Sequence, residues 1–205
     1  MGRPEHSLGD GAWYSTTPVE SPGMGGTLKL MSAPPVRTGK DFSDVRAGIE
    51  TRGHYIENVP FYRQGGSDCG PAALAGVLAF RGRPVSIEKI TANIYLPQLR
   101  GALPMDMERF ARESGFETDS SAGTLDRLKA LIRKGAPVIC LIDLGFSYYK
   151  QPHYVTVVGF DDVNAVVIMH DGFRQNRLMS YDTFDRAWAR AGRWMIDIGP
   201  VRGHR

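Results

Sequence analysis

One segment constrains this chain more than any other: Cys69-Gly70-Pro71-Ala72-Ala73-Leu74-Ala75-Gly76-Val77-Leu78-Ala79-Phe80 is apolar at nearly every position and rich in small residues. Asp68 supplies an N-cap residue, and Pro71 is tolerated because it falls in the first turn, so the spacing predicts a helix. A helix apolar on all sides is buried on most of them. It therefore needs further elements around it, and a chain of 205 residues with 42% hydrophobic residues can supply them within a single domain.

Those elements are legible from caps and periodicity. Ser86 caps a short helix to about Asn93, Pro104 opens another that stops at Gly115, and Thr124 caps a fourth over Leu125 to Lys134, stopped by Gly135. The second half turns to β-rich runs: Val138 to Leu144, His153 to Phe160, Ala165 to His170 and Trp194 to Ile198, with one helix, Tyr181 to Ala191, between the last two. Asp161-Asp162-Val163-Asn164 is turn chemistry joining two strands. Helices first and strands afterwards predict an α+β domain over residues 53–200. Residues 1–52, with Ser21-Pro22-Gly23-Met24-Gly25-Gly26 and Ser32-Ala33-Pro34-Pro35, have no sustained periodicity and read as a flexible or loosely docked arm; 201–205 read as a tail. No internal repeat is present.

The net charge of +3 comes from 25 basic and 22 acidic residues mixed along the chain. Without a basic patch or stripe, nucleic acid is not the expected partner. No apolar run is long enough to span a membrane. The N-terminus lacks the apolar stretch of a signal peptide, so the chain as it stands reads as cytoplasmic, although it equally fits a mature fragment. Two cysteines, Cys69 and Cys140, make a disulfide framework unexpected, and the scattered candidate ligands give no metal-site spacing.

The two cysteines occupy opposite settings. Cys69 follows the polar turn Gln64-Gly65-Gly66-Ser67-Asp68 and opens the apolar helix, where the partial positive charge of the helix N-terminus favours a thiolate and free N–H groups can stabilise an oxyanion. Gln64 could add a side-chain donor. The plainer reading is a small buried hydrophobe with a loop amide upstream. Cys140 lies in Val138-Ile139-Cys140-Leu141-Ile142, where burial makes a thiol inert. A nucleophilic thiol needs a base, and His153 stands at the mouth of the strand His153 to Phe160. His170 is its rival; His6, His54 and His204 are poorly placed. If the strands beginning at His153 and ending at Asp171 pair antiparallel, Asp171 returns beside His153 and can orient its ring. Read alone, Asp171-Gly172 is a turn dipeptide, and His170 should point to the opposite face, away from the cleft.

In combination, Val59-Pro60-Phe61 with Gln64, Asp68-Cys69-Gly70-Pro71-Ala72-Ala73-Leu74, His153-Tyr154-Val155-Thr156-Val157-Val158-Gly159-Phe160, Asp171 and the Phe184 to Trp188 helix resemble the papain-like bacterial cysteine peptidases of the bacteriocin-processing, double-glycine leader peptidase type, and above all their stand-alone members. The resemblance covers roughly residues 55 to 199. It implies a papain-like fold with the nucleophile helix against an antiparallel sheet, Cys69, His153 and Asp171 as catalytic residues, Gln64 as oxyanion residue, no cofactor, and a peptide or protein as substrate. Relatives of this type are often exported. Two departures stand out: Gln64 is five residues before Cys69 where six is common, and Gly172 follows Asp171 where many members have proline. The expected activity is peptide or amide hydrolysis through an acyl-enzyme. The alternatives are acyl or peptidyl transfer at the same site, or a non-catalytic peptide-binding module. Phe146-Ser147-Tyr148-Tyr149-Lys150-Gln151, just before His153, is a candidate substrate loop. Oligomeric state is left open.

Overall fold

Alternation in the second half of the chain puts two rows of β-branched and aromatic side chains on opposite faces of each strand, so the sheet has to be covered on both. The computed structural model describes residues 41–65, 68–145 and 150–203, with the side chains of Glu50 and Thr51 excepted. Its centre is a seven-stranded antiparallel sheet. Strand β5 (Val138–Asp143) pairs with β6 (Pro152–Asp161) on one side and β9 (Trp194–Val201) on the other. Beyond β9 lies β4 (Phe116–Ala122), and beyond β6 lie β7 (Val166–His170) and β8 (Arg177–Ser180). The short β1 (Gly53–Tyr55) pairs with the far end of β6, Gly53 opposite Asp161. A shift in register between Val157 and Gly159 marks a bulge in the β6–β7 pairing.

Helix α2 (Cys69–Phe80), with α3 (Ile87–Ile94) and α4 (Pro104–Glu113), covers one face, where Leu74, Leu78, Ile90 and Met107 meet Ile139, Tyr154, Ile196 and Ile198. Close packing of α2 depends on Gly76: a Cβ there would stand 2.7 Å from the Pro60 carbonyl oxygen. The other face is covered by α1 (Phe42–Arg52), α5 (Leu125–Arg133) and α6 (Tyr181–Arg190), which bury Val45, Leu128, Phe184 and Trp188 against Val138, Cys140, Val155 and Val157. Two of the caps read from sequence hold, Ser86 and Thr124 accepting from the backbone N–H of Lys89 and Arg127 at 3.3 and 3.2 Å, and Ser180 caps α6 in the same way from Thr183 at 3.3 Å; Asp68, read as the cap of α2, makes no side-chain cap bond.

Three features depart from the sequence reading. Part of the stretch taken as a flexible arm, 42–52, is α1, opened by a capping box between Asp41 and Asp44 and anchored by buried Val45 and Ile49 one turn apart. The remaining arm, 1–40, lies outside the described residues. Strand β4 interrupts the order of helices first and strands afterwards, and β8 adds a strand before α6; β4 is largely polar and β8 only four residues long, so both get their place from neighbouring strands rather than from their own periodicity. Residues Tyr95–Leu96 and Gly101–Ala102 form a small separate hairpin around a 3-10 turn, Pro97–Leu99.

Candidate active site

Cys69 is the first residue of α2 and the end of β6 comes up against it. Its sulfur accepts hydrogen bonds from the backbone N–H of Tyr154 and of Gly70, which favour the thiolate, but burial outweighs them and leaves the thiol pKa above the ordinary value. Asp68 occupies the N-cap position without capping: its carboxylate accepts the Gly65 N–H at 3.1 Å, and its charge disfavours the thiolate further. Gly66 and Ser67 lie outside the described residues, as do Phe146–Tyr149 of the candidate substrate loop. The neck of that loop is closed by Asp143, whose Oδ1 accepts from the N–H of Gly145 and Gln151, each at 2.8 Å.

His153 is buried and meets Asp171 as expected, but by an unexpected atom. Its Nε2 lies 2.6 Å from the backbone carbonyl oxygen of Asp171. A carbonyl only accepts, so Nε2 carries the proton and Nδ1 is the lone-pair nitrogen of the neutral ring. Burial holds the imidazole pKa below its ordinary 6.5, against the opposing pull of Asp171. The expected contact with the Asp171 carboxylate is replaced. Oδ1 accepts the N–H of Phe173 and Arg174 at 2.9 and 2.6 Å, and Oδ2 pairs with Arg177 at 2.7 Å, both side chains largely buried. The physical reason is local: the turn after β7 offers two N–H donors two and three residues on, and an aspartate satisfies them before any distant group. The ring of Phe173 lies nearly parallel to that of His153, centroids 5.9 Å apart.

The structure thus joins His153 to Asp171, and Cys69 to the backbone of the residue after His153. Among the described residues no hydrogen bond closes between the Cys69 thiol and the His153 ring. Gln64 is buried; its N–H donates to the Gly172 carbonyl at 2.9 Å and its side chain packs on Gly172. Gly172 has φ +79, and a Cβ there would overlap the Gln64 amide. A proline, fixed near φ −65°, could not take this position, so the departure at 172 matches the place Gln64 occupies.

His170 is the correction. It lies on the sheet face that α2 covers, and Asp171, past the end of β7, already belongs to the turn. His170 lines a recess beside Cys69 whose walls include Phe61, Tyr62, Ala73, Thr156 and Gly172. Strand register puts it directly opposite Thr156. Sequence alternation gave the face; which face carries the helix was decided by packing. Cys140 is fully buried in the core, with its thiol pKa pushed far up by burial alone.

A thiol heading a buried helix, set against an antiparallel sheet that brings a histidine and an aspartate together, defines the papain-like class of cysteine peptidases. The model of the Peptidase_C39 like family matches residues 56–196, and the chain belongs to that family, one of cysteine-type peptidases. Among solved structures, a protein described as a C39-like peptidase from Bacillus anthracis superposes with a TM-score of 0.64 at 16% identity, over 74% of this chain and 100% of that one. A double glycine motif protease from an AMS/PCAT transporter, solved in complex with the leader peptide, gives 0.58 at 23% identity, over 74% and 96%. The peptidase domain of Streptococcus ComA, a bi-functional ABC transporter involved in quorum sensing, gives 0.55 at 23%, over 70% and 99%. These likenesses establish the fold. No curated protein matches the chain. Among the described residues, no helix is long and apolar enough to cross a membrane, and no group of three or more His, Cys, Asp or Glu residues is placed to hold a metal ion.

Proposed function

We propose that this protein cleaves peptide bonds through an acyl-enzyme on Cys69, with His153 as base, Asp171 as the residue that orients it, and Gln64 with the N-terminus of α2 as the oxyanion site. The observation that carries the reading is the Nε2–H of His153 on the Asp171 carbonyl, at the strand end whose next N–H reaches the Cys69 sulfur. That bond leaves Nδ1 as the nitrogen able to take the thiol proton. The sulfur attacks the peptide carbonyl carbon, and the developing oxyanion is met by helix N-terminal N–H groups and by the Gln64 amide. The imidazolium returns the proton to the departing amine as the C–N bond breaks, and water, deprotonated by the same ring, hydrolyses the thioester. Burial raises the thiol pKa and lowers the imidazole pKa, so both groups favour their neutral forms before substrate arrives.

The substrate class is peptide: one similar structure was solved with a leader peptide, and the recess beside Cys69 is walled by Phe61, Tyr62 and small side chains. The deciding experiment digests a proteome-derived peptide library with wild type and with Cys69→Ala, and reads the products by mass spectrometry. Peptides cut only by the wild type support the reading; identical digests refute it.

A further inference from the structure

His170 takes no part in the chemistry described above, yet it is buried, lies in the recess beside Cys69, and has both ring nitrogens committed. Nε2 lies 3.1 Å from the Val59 carbonyl oxygen, and the backbone N–H of Asn176 points to Nδ1 at 3.3 Å. One partner only accepts and the other only donates, so a single state satisfies both: the neutral ring protonated at Nε2. The edge of Phe61 packs against the ring, centroids 5.6 Å apart.

These contacts tie together two pieces of chain that belong to no common regular element. Residues 57–65 form no regular element beyond a turn, yet they supply Pro60, Phe61 and Tyr62 to the recess and end in Gln64. The turn after β7 carries Asp171 and Gly172. The N–H of Gln64 fastens the far end of the first piece to Gly172, and His170 fastens the near end at Val59. Asn176 has a left-handed backbone, φ 53, and its side chain accepts the Tyr55 hydroxyl at 3.1 Å, so the second piece is braced in turn.

We propose that His170 is a positioning residue of this site, whose uncharged ring pins the Val59–Tyr62 wall of the recess to the turn that bears Asp171; the proposal rests on the peptidase reading above. The wall borders the recess beside Cys69, where a peptide bound for cleavage has to lie, so losing the pin loosens substrate binding more than it slows bond cleavage. Protonation puts a second N–H against that of Asn176 and has the same effect as removing the ring. The titratable groups around it are Asp171 on its own strand's end, Cys69 from α2, Tyr154 from β6 and Tyr62 from the wall itself. Burial disfavours the charged ring here, against Asp171, which favours it.

Two measurements decide the matter, one of them independent of activity. In protein labelled with nitrogen-15 histidine, the His170 ring at neutral pH should give the signature of the Nε2–H tautomer; a ring protonated at Nδ1, or cationic, overturns the proposal. Kinetics then use a peptide cut by wild type and not by Cys69→Ala. His170→Phe keeps the ring volume and loses both bonds; KM should rise about tenfold with kcat within about twofold. His170→Gln, which can still reach Val59, should recover most of the loss. An unchanged KM, or a fall in kcat alone, overturns the proposal. If His170→Phe does not fold, the comparison passes to His170→Gln, which should show a smaller rise in KM and faster amide exchange at Asn176 than wild type. Should no peptide be cut at all, the peptidase reading fails by itself. The pin is then judged by the tautomer and by amide exchange over 56–65, which should speed about tenfold in His170→Phe and, if unchanged, rules the pin out.

Discussion

At the scale of single residues the two cysteines separate cleanly. Cys69→Ser changes one atom in the site and should lower peptide cleavage by about three orders of magnitude or more, with the thermal midpoint nearly unchanged. Cys140→Ser should do the opposite. Its sulfur is enclosed by core side chains, and a hydroxyl without a partner there costs about 1–3 kcal/mol in a urea titration while cleavage persists. Equal activity losses in the two variants would erase the distinction. Asp171 makes a sharper test, because it has two acceptors with different duties. If the backbone carbonyl orients His153, Asp171→Asn keeps that carbonyl and should retain cleavage within about tenfold, while weakening the pairing with Arg177 lowers stability. A drop of about 10⁴-fold in a stable protein would instead assign the orienting role to the carboxylate. The residue types of the site were legible because each sits at a chemically telling place: a thiol at a helix start, an imidazole at a strand mouth, an aspartate at a strand end. Which oxygen of Asp171 meets the ring was not legible, because it depends on the backbone of the six-residue turn, 171–176, between β7 and β8.

At the scale of elements, α2 and α6 follow from sequence directly. In α6 the buried residues Phe184, Ala187 and Trp188 lie on one stripe, and the Trp188 indole N–H donates to the Trp194 carbonyl at 2.8 Å. Trp188→Ala should cost about 3–5 kcal/mol by denaturant unfolding, since it opens a void between α6 and the sheet and strands that carbonyl. The turn at Gly172 is the corresponding test for the site. Gly172→Ala combines a strained left-handed backbone with overlap against Gln64, and it should reduce cleavage more than it reduces stability, read as kcat/KM against the unfolding midpoint. Strands β4 and β8 escaped the sequence reading for one reason: each buries a single apolar side chain, Phe116 and Met179, among polar or half-buried ones, so alternation carries little hydropathic contrast, and their place is set by pairing with β9 and β7. Helix α1 was hidden differently. Phe42, Val45 and Ile49 alone mark its apolar stripe, and they follow forty residues without periodicity.

For the whole molecule, the two buried histidines set the response to pH. His153 and His170 both have pKa values held below 6.5, chiefly by burial. The unfolded chain therefore binds protons that the folded one refuses. Stability from this source is complete above pH 6.5 and is lost as pH falls through the lower folded values. Unfolding midpoints measured from pH 7 to pH 5 should fall, and His170→Gln should flatten the slope. Activity depends on neutral His153, so the acid limb of kcat/KM should lie below pH 6.5 rather than at it; a limb above 6.5 would contradict a buried, neutral base. By itself the sequence determined which segments are helix and which are strand wherever periodicity was strong, the antiparallel return of Asp171 toward His153, and the contrast between Cys69 and Cys140. These are local properties, written in cap residues, in the period of apolar side chains and in the length of one turn. Only the tertiary structure decided which sheet face α2 would cover, and with it that His170 belongs to the recess beside Cys69. It alone decided that Gln64 takes the space above Gly172, and that the Asp171 carbonyl rather than its carboxylate reaches the ring. Each of these turns on a contact between segments distant in sequence, where the choice among locally equivalent arrangements is made by packing.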